Sequence, residues 1–208
     1  MIDQNTLLTY IVVLIGFVFL PGPAVLLTLA RSASSGPQVG IATGLGIATG
    51  DLAHTMMAVF GLSAILAASA LLFSIIKYAG AAYLIYLGIR AIFEKTEFGA
   101  LLASPRITAS KAYRQAVIAE LLNPKSALFF LAFLPQFVRP ENGAAALQLA
   151  ILGVLFVVLG ALSSMVYALA GGSINHFLRR NAFIARWQSK IVGSIYCALG
   201  VRLALQDR

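Results

Sequence analysis

Charged side chains are scarce in this chain of 208 residues: 11% are Asp, Glu, Lys or Arg, and only 7 are acidic. A soluble domain carries about 25% charged residues, and here 60% of the chain is hydrophobic with a mean hydropathy of +0.91, an apolar excess that must face lipid. Cysteine is nearly absent. The single Cys197 excludes an intramolecular disulfide and a Cys-x-x-Cys relay, and reads as a packed thiol. Phosphate-loop, His-Glu-x-x-His and Gly-x-Ser-x-Gly patterns are missing, as are paired intramembrane aspartates, so these routes to ATP hydrolysis, metalloprotease or hydrolase chemistry are closed and no enzyme is expected. With one Cys and two His, Asp51, His54 and Glu120 make a thin coordination set for a soft metal. The formal charge of +8 forms no basic stripe, which argues against a nucleic-acid partner. The first five residues hold no Lys or Arg, and the apolar run after them ends in Pro-Gly-Pro rather than a small-residue cleavage site, so a retained first span is expected.

What is present is hydrophobic length. A spanning helix needs about 20 mainly apolar residues, and six windows qualify, near 7–30, 39–64, 70–93, 115–138, 145–171 and 183–205. Gly171-Gly172 is expected to end the fifth. The polar connection 94–114 divides the chain into repeat one (about 1–93) and repeat two (about 115–208) within a single transmembrane domain, 1–208. Lys77-x-x-Gly80-x-x-Tyr83 followed by Leu87-Gly88-Ile89-Arg90 returns as Lys190-x-x-Gly193-x-x-Tyr196 followed by Leu199-Gly200-Val201-Arg202. Three spans per half is an odd number, so the second half enters the bilayer upside down. The expected fold is all-α, six transmembrane helices in two inverted three-helix repeats. Basic residues divide ten to four between the two sides; the richer side is expected to be cytoplasmic, with both termini outside. Lys77 and Lys190, about two turns inside their spans, are expected to snorkel outward.

Proline interrupts the first and fourth spans at matching places, Pro21-Gly22-Pro23 and Asn123-Pro124-Lys125. A proline inside a helix removes a donor, freeing the carbonyls of Phe17, Phe19 and Glu120. Such oxygens accept from an ammonium or a water, and the helix restarting after each break presents free N–H groups that suit a carboxylate. Two opposed breaks thus hold both ends of a zwitterion; a plain packing kink is the other reading of each. Substrate-binding candidates are Pro21, Gly22, Pro23, Asn123, Pro124 and Lys125. Asp51, an acid near the middle of the second span, costs about 2.5–3.5 kcal/mol to insert and needs a cavity or a partner. With His54 one turn on, and with Glu120, it is a candidate for proton coupling; a structural hydrogen bond for Asp51 and a satisfied interior histidine are the alternatives. Lys125 is expected either to pair with Asp51 or to neutralise an acid permanently. Gly40, Gly44, Gly46 and Gly50 give two small-x-x-x-small steps for close helix packing. Phe129, Phe130, Phe133 and Phe137 read as lipid-facing or core.

Phe19-Leu20-Pro21-Gly22-Pro23, Gly44-x-Gly46-x-x-x-Gly50-Asp51, Tyr83-Leu84-x-x-Leu87-Gly88, Asn123-Pro124-Lys125-x-Ala127-Leu128-Phe129-Phe130 and Phe133-Leu134-Pro135-Gln136-Phe137 together resemble the lysine exporter/homoserine-threonine resistance (RhtB-type) family over nearly the whole chain. The resemblance implies an inner-membrane exporter of amino acids or their derivatives, working as a proton antiporter without a cofactor, with the homodimer as one form. It carries over to Pro21, Gly22, Pro23, Asp51, Asn123, Pro124 and Lys125. One departure is Ala24, where the family commonly has a polar residue after Pro-Gly-Pro. His54 and Glu120 rest on the physical argument alone. Two rivals stay open: a divalent-metal exporter on a related scaffold, and a non-transporting membrane partner.

Overall fold

A computed structural model describes residues 2–19, 22–64, 70–93, 105–180 and 182–205. No strand occurs among them. The helices are α1 (Gln4–Phe19), α2 (Pro23–Ser35), α3 (Pro37–Met57, continued by a π turn Ala58–Leu62), α4 (Ala70–Phe93), α5 (Ala109–Leu121), α6 (Pro124–Leu128), α7 (Ala145–Arg180) and α8 (Ala182–Leu205). A π turn, Phe129–Phe133, and a 3₁₀ turn, Leu134–Phe137, prolong α6.

Punctuation follows local chemistry. Pro23, Pro37 and Pro124 stand in the first turn of their helices, where a missing N–H leaves no bond unmade. Gly36 closes α2 at φ +94°, a conformation that favours glycine, and returns its N–H to the Ser32 carbonyl at 2.9 Å. Thr108 caps α5 by accepting from the Lys111 N–H.

Counting each bent pair as one, five segments among the described residues are long and apolar enough to cross a membrane: α1 with α2 (bent 47°), α3 with its π turn, Ser74–Phe93, α5 with Pro124–Phe137 (bent 43°), and Ala145–Gly171. In the last helix, Gly193–Leu205 is an apolar stretch among the described residues. Two expectations need correction. α5 begins at Ala109, inside the stretch assigned to the linker, because Thr108 supplies a cap there. The fifth span ends at Gly171, as expected, while α7 itself continues to Arg180, since glycine within a helix costs only about 1 kcal/mol. Lys77 is buried, its ammonium 4.9 Å from the Tyr78 ring centroid, whereas Lys190 is exposed and lies 5.4 Å from the Trp187 ring.

The glycine steps of α3 divide between two partners. A methyl on Gly44 would stand 2.8 Å from Ser164 Cβ on α7, and one on Gly50 2.6 Å from Glu120 Cβ on α5. Gly46 faces the Tyr113 carbonyl and Ala116. α4 meets α8 through Gly88 and Gly193, each against the other's carbonyl. Such contacts admit no added methyl, and overpacking costs about 1–3 kcal/mol. Gly46→Ala is therefore expected to lower the thermal midpoint of the detergent-solubilised protein, while Gly16→Ala, with nothing within 4 Å, leaves it unchanged or raises it. Cys197 sits at the α4–α8 seam with its Sγ 3.7 Å from the Ile85 carbonyl.

Aromatic rings fill the middle. Phe129 packs on Phe17 and Phe156 at centroid distances of 4.5 and 4.7 Å, joining α1, α6 and α7. Phe130, Phe133 and Phe137 are buried with it, which places all four phenylalanines in the core. Tyr10 is sealed beneath them and donates to the Leu152 carbonyl at 2.8 Å.

Candidate functional site

The two helix breaks meet. One cavity of about 40 Å³ is lined by Gly22, Ala24 and Val25 from the first break, and by Asn123, Lys125 and Ser126 from the second. Asp51 and Ile47 of α3, Glu120 of α5, Phe17 and Val18 of α1, and Phe156, Gly160 and Ser164 of α7 complete the wall. At about 10–15 Å³ per water, this holds a few waters and no amino acid.

The carbonyls freed at the first break are taken up by side chains from afar. Lys125 donates from Nζ to the Phe17 oxygen at 3.2 Å, Ser163 donates to Val18 at 2.9 Å, and Tyr167 donates to Phe19 at 2.7 Å. At the second break, the Glu120 carbonyl accepts the Asn123 N–H and faces His54 Nε2, each at 3.0 Å. Breaks that strand polar groups inside a bilayer survive where protein re-satisfies them.

Asn123 organises the second break. Its Oδ1 accepts from the Lys125 N–H at 3.0 Å and so caps α6. Its Nδ2 reaches both Glu120 carboxylate oxygens at 3.1 Å and Ser126 Oγ at 3.3 Å. Ser126 also donates to Glu120 Oε1. The spacing of three between Glu120 and Asn123 foreshadows this contact; Ser126, three further on, was not singled out although it continues the same interval. His54 is buried and stacks on Phe130 at 5.7 Å.

The Asp51 carboxyl lies within hydrogen-bonding reach of the Glu120 carboxyl. Asp51 is 3% exposed, and its Oδ1 has no hydrogen-bond partner among the described residues. The expected ion pair with Lys125 is not formed: that ammonium turns to the first break, 4.2 Å from the Phe17 ring centroid and 5.5 Å from that of Tyr196. The cause is the freed Phe17 oxygen, an acceptor flanked by two ring faces. Tyr196 Oη is likewise buried without a partner. Tyr196 belongs to the repeated Lys-Gly-Tyr motif, the one signal that could have found it; Phe17 is marked by its freed carbonyl, whereas Phe156, Gly160 and Ser164 left no signal. Pro21 lies outside the described residues; Pro23 and Pro124 shape the backbone beside the cavity. No three His, Cys, Asp or Glu side chains gather into a metal site among the described residues.

Apolar helices enclosing a polar cavity where two breaks converge define a membrane translocator. The chain belongs to the LysE type translocator family, whose model matches residues 15–207. It is 32% identical over 211 residues to the Bacillus subtilis protein named "Uncharacterized membrane protein YrhP", covering 97% of this chain and 100% of that one. It is 29% identical over 202 residues to an "Uncharacterized membrane protein" of Vibrio cholerae, covering 97% and 98%. A "Leucine efflux protein" of Salmonella typhimurium is 26% identical over 197 residues, covering 94% of this chain and 93% of its own length. No solved structure matches the chain. The family is one of transporters, not enzymes.

Proposed function

We propose that this protein exports amino acids from the cytoplasm across the inner membrane in exchange for protons. The observation that carries the reading is the meeting of both helix breaks at one cavity holding Asp51, Glu120 and Lys125. Six spans in two inverted repeats (about 1–93 and 115–208, joined by 94–114), with both termini outside, form the scaffold. Rocking one repeat against the other enlarges the cavity and exposes it to each side in turn. The backbone at Pro21, Gly22, Pro23, Asn123 and Pro124 holds the zwitterion, with Lys125 beside it. Asp51 exchanges the proton, and His54 and Glu120 line its path.

Ala24, Val25, Ile47, Phe156 and Gly160 give the cavity an apolar lining beside the Lys125 ammonium. That chemistry favours an aliphatic side chain, in keeping with the name of the leucine-exporting relative. Counterflow in liposomes tests the proposal: purified protein should exchange internal for radiolabelled external L-leucine, isoleucine or valine far faster than lysine or glutamate. Equal rates for all, or no flux above protein-free vesicles, would sink it.

A further inference from the structure

We propose that Lys125 is a tethered stand-in for the substrate's ammonium group, occupying its receptor when no amino acid is bound. This rests on the exporter reading above. The receptor is the Phe17 carbonyl, with the faces of Phe17 and Tyr196 beside it.

Three observations converge. First, an ammonium has three donors, yet among the described residues Lys125 makes one side-chain hydrogen bond and no ion pair, although 8% exposed and in a cavity with two carboxyl groups. A buried cation normally goes to a carboxylate. This one is held instead by a carbonyl and ring faces, the chemistry that suits an alkylammonium. Second, the approach is kept clear: a methyl on Gly22 would stand 3.0 Å from Lys125 Nζ and 3.4 Å from Tyr196 Oη. Third, Asp51 Oδ1 and Tyr196 Oη are buried and unpartnered, which leaves Lys125 a second place to go and the ligand a hydroxyl to meet.

The lysine stem has four rotatable carbons and a compact head, so it can swing between two sites. The amino acid entering from the cytoplasm displaces the Lys125 ammonium from Phe17. Lys125 moves to the carboxyl of Asp51, which releases its proton to cytoplasmic water. Once the amino acid leaves outward, Lys125 returns to Phe17 and Asp51 takes a proton from outside. The other ionisable groups facing this exchange are Glu120, held by Asn123 and Ser126 and within hydrogen-bonding reach of Asp51, and His54, held at the Glu120 carbonyl. Exchange is obligatory because one cation site serves two cations.

Removal of the tether should leave a receptor for a free ammonium. In detergent, n-butylammonium should raise the thermal midpoint of Lys125→Met saturably and leave wild type unmoved, with butanol inert toward both. Lys125→Gln is the second variant should Lys125→Met not fold. The same variants should bind L-leucine on the order of tenfold more tightly, because the receptor is no longer partly occupied. No butylammonium response in the variants, an equal response in wild type, or weaker leucine binding (the mark of a lysine that grips the substrate carboxylate) would overturn the proposal. The butylammonium readout needs no transport, so an absence of wild-type flux sinks the exporter reading separately.

Discussion

Asp51→Asn should abolish the response of transport to a pH gradient while amino-acid counterflow persists. Asparagine keeps the volume and one oxygen of the carboxylate but cannot exchange a proton. Downhill exchange needs only the substrate site, and the helix breaks that form it are untouched. Accumulation against a gradient should therefore fall by about tenfold or more, tenfold being about 1.4 kcal/mol of coupling. Misfolding makes the opposite forecast and is easily told apart. Asp51 is buried, with an oxygen that accepts no hydrogen bond from the described residues, and neutralising such a group is often neutral or stabilising. The variant should keep or raise the wild-type thermal midpoint. Proton-driven accumulation equal to wild type would remove Asp51 from the mechanism.

Asn123→Leu should be the most destabilising single change at the site. The side chain of Asn123 caps α6 and donates to both oxygens of the buried Glu120 carboxyl. Loss of the cap costs about 0.5–2 kcal/mol, and stripping a buried polar group of its donor costs about 1–3 kcal/mol. Together these are a large part of a typical stability of about 5–15 kcal/mol. The thermal midpoint should drop by many degrees and counterflow should be lost. Asn123→Asp separates the two effects, because aspartate still caps but cannot donate to Glu120. It should regain part of the midpoint and little of the transport. A leucine variant as stable and active as wild type would reduce Asn123 to a bystander.

Much of the architecture is legible in the residues because its causes are local. Pro23 and Pro124 remove donors wherever they stand, so the breaks and their freed carbonyls could be read from the chain, and Ala70–Phe93 forms a helix over the very window that its apolar run marks. The glycines of α3 announced close packing, since spacing on a helix decides which faces can approach. What stayed hidden were partners. Nothing near Phe17 says that its oxygen will be met by a lysine 108 positions away, or that a phenol from the last helix will stand beside that lysine. Charge complementarity pointed Lys125 at Asp51, but a carbonyl flanked by rings holds it instead.

The central claim is that amino acid and proton exchange at this cavity. Its most direct measurement is proton movement in sealed liposomes containing purified protein and a trapped pH dye, with no gradient imposed at the start. L-leucine added to one side should enter the vesicles and drive protons out, so the lumen turns alkaline, and the signal should vanish in Asp51→Asn vesicles that still show counterflow. Leucine entry with no change in luminal pH, or an equal change in the Asp51→Asn vesicles, would contradict the account.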